Sequence, residues 1–471
     1  MRNTTVLVSG ASIAGPALAY WLERYGFDVT VVERAPALRR SGQAVDFKGA
    51  THRTVLERMG IWAEIQRRRT GKTDMVCLDD AGRERAVISG EFTGGDVEIL
   101  RGDLAELLYE RTADDCEYLF GDSITELTET EHGVRVRFEH TETRTFDLVV
   151  GCDGIHSVVR RLAFGPERDY VRHLGYYYCL AGAPGWGHDP ETRQRNISHA
   201  WNAPGRLAVK GGSKASQMYM FAAPELDYDR KDIAAQRRIV AERFAGMGGG
   251  VPGVLAELAE LDDFYLDSLG QVRMKGGYTK GRVALVGDSA YGNTLGGFGT
   301  GLAVVGAYVL AGELAAAGGD HTAAYARYDE VMRRYAKIAG NSNAGHFLAP
   351  ETAWGIRARN WFLGSRLFDL MVKYADNAAN DIELRDYEAA VGGGGGGTPP
   401  AAPRGGVGGP PPKKPAQKNG APPTPPRPPC GRGGWPPPAS VSGLRSGPRP
   451  IPPGPPGGAG PPPPPPPPPR S

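Results

Sequence analysis

Residues 4–9 (TTVLVS) are a short run of β-type, largely apolar positions. The period then changes. In residues 17–25 (ALAYWLERY) Leu18, Trp21 and Leu22 fall on one side of a helix, and Gly26 ends it. Residues 28–33 (DVTVVE) return to a strand pattern closed by Glu33, so the opening reads β–turn–α–β. Two further apolar runs, residues 147–152 and 282–286, have the composition of buried strands. An apolar helix is predicted from about residue 302 to 317. Strand-like segments occur at 175–183 (GYYYCLAGA), 197–201, 207–210 and 217–222 (QMYMFA). Residues 357–374 (RARNWFLGSRLFDLMVKY) are rich in apolar positions, with Gly364 interrupting them; packing across two domains is expected, with docking on a membrane or a partner as the alternative.

The turn between the first strand and helix is GASIAG, residues 10–15. Gly10 permits a tight turn, and Gly15 lets the helix lie close to the sheet. The middle position must let a pyrophosphate approach backbone amides at the helix N-terminus. Ser12 stands where that position is usually glycine; it is small, and its hydroxyl can add a hydrogen bond. Glu33, 23 positions after Gly10, is placed to accept from ribose hydroxyls, which disfavours a 2′-phosphate there. The unit suits FAD or NAD.

Two later stretches share a pattern. Residues 147–161 (DLVVGCDGIHSVVRR) end a strand in Asp153-Gly154, at the edge where open α/β sheets bind ligands. Residues 282–303 (RVALVGDSAYGNTLGGFGTGLA) end a strand in Gly287-Asp288, followed by five glycines: 292, 296, 297, 299 and 301. Such a loop lets backbone lie against a planar ligand, and the next helix turns its positive end toward it. Asp288 would be free to hold hydroxyls.

Together these motifs resemble the single-component FAD-dependent aromatic hydroxylases, the group with the 4-hydroxybenzoate hydroxylase fold that includes tetracycline-inactivating monooxygenases. A fourth stretch, EILRGDLAELL from Glu98 to Leu108, is similar to the family's Arg-x-x-Leu segment. The likeness spans about residues 4–375. It implies an α/β fold in which a Rossmann-type FAD-binding domain is interleaved with a mixed β-sheet substrate domain. It implies Gly10, Ser12, Ile13, Ala14 and Gly15 on the pyrophosphate, and Glu33 with Arg34 on the adenosine ribose. Arg101 would reach the central linkage, and Ile124 would touch adenine by its backbone. Asp153 and Gly154 belong to the motif linked to FAD and the reduced nicotinamide. Asp288 would bind the ribityl or pyrophosphate region, and Gly299, Thr300, Gly301 and Leu302 would offer amides to the flavin's pyrimidine edge. The activity implied is oxygenation by O2. NADPH or NADH, bound transiently, reduces FAD, and a flavin C4a-hydroperoxide hydroxylates an aromatic or polyketide-like molecule. Baeyer–Villiger oxygenation and flavin-dependent reduction are alternatives on the same fold. The chain departs from the pattern at Ser12, and at Tyr291 and Thr294-Leu295, where many members have histidine and then proline.

The domain layout expected is an FAD-binding domain over 1–170, continued at 277–340; a substrate domain over 171–276; C-terminal helices over 341–391; and a tail from 392 to 471. In the substrate domain Tyr176, Tyr178, Trp201, Tyr219 and Phe221 are candidates to line an apolar chamber, and His199 is the one candidate for proton transfer.

Composition alters this picture mainly at the end of the chain. The segment 392–471 holds 31 of the 40 prolines, ends in nine consecutive prolines before Arg470, and is expected to be disordered with polyproline character. Its PPTPPRPPC and RPIPPGPP stretches resemble ligands of proline-binding modules, the basis of an alternative reading as an interaction protein. The tail carries nine Lys/Arg and no acid. The rest therefore has 46 basic and 53 acidic residues, which gives no reason to expect a nucleic-acid partner. Five scattered cysteines without a CxxC argue against a disulfide scaffold or a zinc site. The apolar run 301–317 contains Glu313 and is short for a membrane span. A soluble cytoplasmic protein is expected.

Overall fold

The computed structural model describes residues 2–39, 42–183, 196–212, 215–339, 343–368 and 382–388. The tail 392–471 and residues 369–374 of the apolar C-terminal stretch lie outside the described residues.

The opening β–turn–α–β forms as the pattern predicts: strand Thr5–Ser9, helix Ala14–Arg24, strand Asp28–Glu33. The helix begins three residues earlier than its apolar spacing suggested, because its first turn is part of the glycine turn. These strands sit in a six-stranded sheet ordered Thr279–Lys280, Val283–Leu285, Leu148–Gly151, Thr5–Ser9, Asp28–Glu33, Glu117–Phe120. All neighbours are parallel except the Thr279–Lys280 hairpin. The register aligns Ser9 with Gly151 and Gly151 with Leu285. The three strands that precede the three motifs thus end at one edge.

The helix Gly299–Ala316 is buried from Gly301 to Leu314. By length and composition it is the one described helix able to cross a membrane, yet 78% of it is buried inside the protein. It packs on the first helix, with Trp21 and Tyr308 in edge contact at 4.9 Å. Small residues make this close packing possible. A Cβ on Gly306 would lie 1.9 Å from the Tyr291 hydroxyl, and one on Gly312 would lie 2.2 Å from the Tyr387 ring. Tyr387 is 2% exposed, and its hydroxyl donates to Glu313 Oε1 at 2.8 Å. Residues 382–388 therefore return to the long helix beside the parallel sheet.

A second, seven-stranded sheet is ordered Phe264–Val272, Val171–Ala181, Gln217–Ala222, Arg206–Lys210, Asn196–Ala203, Thr73–Leu78, Glu84–Ile88. It is mixed, as expected, with Asn196–Ala203 parallel to Thr73–Leu78 and the other neighbours antiparallel. Its last two strands come from residues 73–88, so the sheet draws on chain from both sides of position 170. The two-residue alternation of its strands separates two cores. Tyr177, Cys179, Tyr219 and Phe221 pack beneath helices Ile233–Phe244 and Val251–Leu258. Tyr176, Tyr178, Met218 and Met220 face the other way, where Leu363 and Phe368 cover them. Helix Ala353–Leu363 stops at Gly364, the break the sequence indicated.

Candidate functional site

The site is built mostly from backbone. Gly10 has φ +107, and a Cβ there would lie 2.6 Å from the Cys152 carbonyl oxygen. A Cβ on Gly15 would lie 1.8 Å from the Gly10 carbonyl oxygen. Both glycines are therefore required by the turn itself. The first helix has no side-chain cap and no acid in its first turn, so the positive end of its dipole is left for an anion.

Ser12 and Arg101 meet across this turn. Arg101 Nε and Nη2 donate to Ser12 Oγ at 3.2 and 2.9 Å. Glu33 braces the turn from below, accepting from Ala11 N at 2.8 Å and Ala35 N at 2.9 Å. Part of its accepting capacity is thus used within the protein. Arg34 is exposed beside it. Ile13 and Ala14 are buried in the main core. Ile124 is 2% exposed, and its segment is drawn to the end of strand Asp28–Glu33 by Gly121 N to Ala35 O and Asp122 N to Glu33 O bonds. Asp122 accepts from Ser123 N, Glu139 N, His140 N and Thr141 N at 2.7 to 3.0 Å. Burial works to raise its pKa, but the donors from Thr141, Ser123 and His140 overcome it and bring the carboxyl down to about 2.

The second motif divides its work. The Asp153 carboxylate accepts from Ser157 Oγ, Val158 N and Val159 N, so it caps helix Val158–Ala163. Burial raises its pKa against those donors. Gly154, at φ +83, has open space where a Cβ would stand. Arg160 is fully buried and donates to Ser289 O at 2.9 Å and to Ile155 O. It ties the second motif to the third. Ser289 Oγ completes the tie by donating to Gly151 O at 2.6 Å and Val286 O at 2.8 Å.

In the third motif Asp288 opens into the cleft, with the Gly299 backbone beside its carboxylate. The surrounding protein raises its pKa, and Arg101 partly opposes the rise. The five glycines do not share one role. Side chains on Gly292, Gly296 and Gly301 would strike Asp288, Asn293 and the His52 ring respectively; one on Gly299 would touch the Asp288 carboxylate at 3.6 Å, and Gly297 faces open space. Leu295 (φ 56) and Phe298 (φ 60) are left-handed without being glycine, a strained arrangement held at the start of the long helix. Leu302 N is already bonded to Phe298 O at 2.8 Å, which removes it from the expected set of outward amides. Gly299, Thr300 and Gly301 form the first turn of that helix, which has neither a side-chain cap nor a first-turn acid.

The departure at Thr294 has a structural counterpart. Thr294 N donates to Gly270 O at 3.0 Å, and Gly270 N donates to Thr294 Oγ1 at 3.2 Å. Hydrogen bonds to the seven-stranded sheet anchor the loop where proline is common in the resembling family. Tyr291 is buried, in edge contact with Tyr278, and donates to Leu302 O.

The substrate sheet corrects part of the expectation. Tyr178 lies on the side of the sheet against which Leu295 packs. Tyr176 shares that side, whereas Trp201, Tyr219 and Phe221 belong to the opposite core. His199 is exposed, alternating with Ala200 of the cleft-side core, and so faces away from it. A separate cluster of titratable side chains includes His156 of the second motif. His156 Nε2 lies 3.0 Å from Asp267 Oδ2, its Nδ1 lies 3.0 Å from Glu167 Oε1, and Tyr265 donates to Asp267 at 2.7 Å. Burial opposes a charged ring, yet the two carboxylates raise the His156 pKa. Only the same-face spacing of Tyr265 and Asp267 in one strand hints at this cluster in sequence.

A parallel sheet with three glycine-containing motifs at one edge, two uncapped helix ends and an adjoining mixed sheet defines a flavin-binding class of protein. The match to the FAD binding domain family covers residues 3–337. A flavin-dependent monooxygenase of Legionella longbeachae is 37% identical over 344 residues, 71% of this chain and 86% of that protein. The crystal structure of tetracycline destructase Tet(51) superposes with TM-score 0.68 at 30% identity, covering 82% of this chain and 100% of that one. Tetracycline destructase Tet(55) gives TM-score 0.65 at 34% identity, covering 82% and 99%. The chain belongs to the FAD-dependent monooxygenase family of the aromatic hydroxylase type.

Proposed function

We propose that this protein oxygenates a small aromatic or polyketide-like molecule, using FAD, O2 and reducing equivalents from NADPH or NADH. Bound FAD would supply the redox chemistry that side chains lack. In this reading Gly10 to Gly15, Ser12 and Arg101 hold the pyrophosphate and Glu33 holds the ribose, with Arg34 and Ile124 alongside. Asp288 takes the ribityl hydroxyls. Gly154 leaves room at the cleft, and Gly299 to Gly301 direct amides at the electron-rich edge of the ring. Tyr178, Met218 and Met220 orient an apolar ring, and the helix Ala353–Leu363 excludes water from the far side.

The observation that carries the proposal is the seating of Leu295 of the glycine loop on the Tyr178 face, with Thr294 bonded to Gly270. Cofactor loop and apolar face are thereby adjacent. The likeness to tetracycline destructases supports a polycyclic, oxygen-rich aromatic substrate. The test is a spectrum of the purified protein, followed by NADPH and O2 consumption with phenolic and polycyclic polyketide compounds. The expected result is a flavin spectrum, stimulated consumption, and a product heavier by one oxygen. Flavin binding without any stimulated consumption or oxygenated product would defeat the proposal.

A further inference from the structure

Six large apolar side chains are strongly exposed among the described residues, and three are neighbours in sequence: Trp354 (75%), Trp361 (73%) and Leu367 (60%). Trp354 and Trp361 are two helical turns apart on helix Ala353–Leu363 and share one side of it. Arg357 is exposed between them, Arg366 is exposed beside Leu367, and the helix contains no acid. The helix cannot roll to hide this side. Arg359, 7% exposed, donates to Phe347 O, Leu348 O and Asn202 Oδ1 at 3.2, 2.8 and 2.9 Å, and Leu363 is buried in the cleft-side core.

Tryptophan is suited to a boundary between water and hydrocarbon, with a large apolar ring and one polar N–H. Exposed arginines beside it add attraction for anionic headgroups, and here they stand out against an otherwise acidic body. A symmetric pairing of two copies through this face would instead bring arginine against arginine. We propose that Trp354, Trp361 and Leu367 dock the protein on an anionic lipid surface, with Arg357 and Arg366 against lipid phosphates. The docking does not depend on the proposed oxygenation chemistry.

The test is flotation of the full, flavin-loaded chain with vesicles of phosphatidylcholine, with and without phosphatidylglycerol. Binding is expected to the anionic vesicles and to weaken as salt rises. The Trp354→Ala/Trp361→Ala double substitution is expected to reduce the bound fraction at least about tenfold, the scale set by two interfacial tryptophans, with the flavin spectrum unchanged. Brominated phospholipid should quench the tryptophan emission of the native chain and less that of a Trp354→Phe/Trp361→Phe chain. Failure to float overturns the proposal. So does binding that survives the double alanine substitution, which would assign it to the basic tail, or a dimer abolished by that substitution, which would assign the face to a second copy.

Discussion

The two large sheets reach function by opposite routes. The parallel sheet presents backbone: three of its strands stop in register and give way to glycine-containing turns and helix ends, two of them with an aspartate. The mixed sheet presents side chains, sorted to two faces by alternation. A site made from backbone tolerates few added atoms where a carbonyl or ring stands against it, as at Gly10, Gly15 and Gly301. A chamber made from side chains can change its lining residue by residue while the sheet persists. The first therefore keeps a motif and the second keeps only a period.

The sharpest way to break this contrast is at the glycine turn. Gly15→Ala forces a methyl onto the Gly10 carbonyl, and the first helix must shift from the anion site. A cost above ~4 kcal/mol is expected, or roughly a thousandfold in FAD affinity, read by flavin retention and titration. A yellow variant with near-native affinity would show that the turn yields as readily as the chamber.

Asp122→Asn tests the loop beside Glu33. Its folded pKa of about 2 lies below the ordinary carboxyl value of 3.8. The charged form thus stabilises the fold above that ordinary value, and the contribution disappears as pH falls through about 2. The substitution should cost roughly 2 kcal/mol at neutral pH. Urea midpoints across acidic pH check it: native and variant curves should converge as the pH is lowered.

Thr294→Val probes the join between the two sheets. It removes the acceptor for Gly270 N while Thr294 N can still donate. About 1 kcal/mol is at stake, expected as roughly fivefold faster hydrogen exchange in residues 292–299 with FAD still bound. Unchanged exchange would mean the loop's strained backbone holds itself.

The smallest effect is expected at His199, which faces away from the cleft. His199→Ala should change stability by less than about 0.5 kcal/mol and leave the proposed oxygenation within about twofold, the range of a distant surface change. A tenfold loss of turnover would return it to the site.

The legibility of the molecule divides along the same line. The turns that carry Gly10, Gly15, Glu33, Asp153 and Asp288 were legible because they depend on local spacing: strand, turn, helix start. Several individual strands were legible from apolar runs, while the two-sheet layout came from the family resemblance. The sides of the chamber were not, since Tyr176 and Tyr219 look alike until register and covering helices are known. The strands at 73–88 were hidden because their partner at Asn196–Ala203 is distant in sequence. The His156–Asp267–Glu167 cluster assembles from three separate elements, so no local pattern announces it. Even within the glycine loop, spacing could not tell glycines open to the cleft from those making room for His52 or Asn293.

Tyr387, seated in the notch at Gly312, bears on the order in which the protein can be made. A ribosome releases Thr5–Ser9 and Asp28–Glu33 first, but the strand Leu148–Gly151 that pairs with Thr5–Ser9 emerges much later, Val283–Leu285 later still, and the Tyr387 plug after all of them. The nascent parallel sheet must therefore wait with an open edge, the condition in which chains are most prone to mispair.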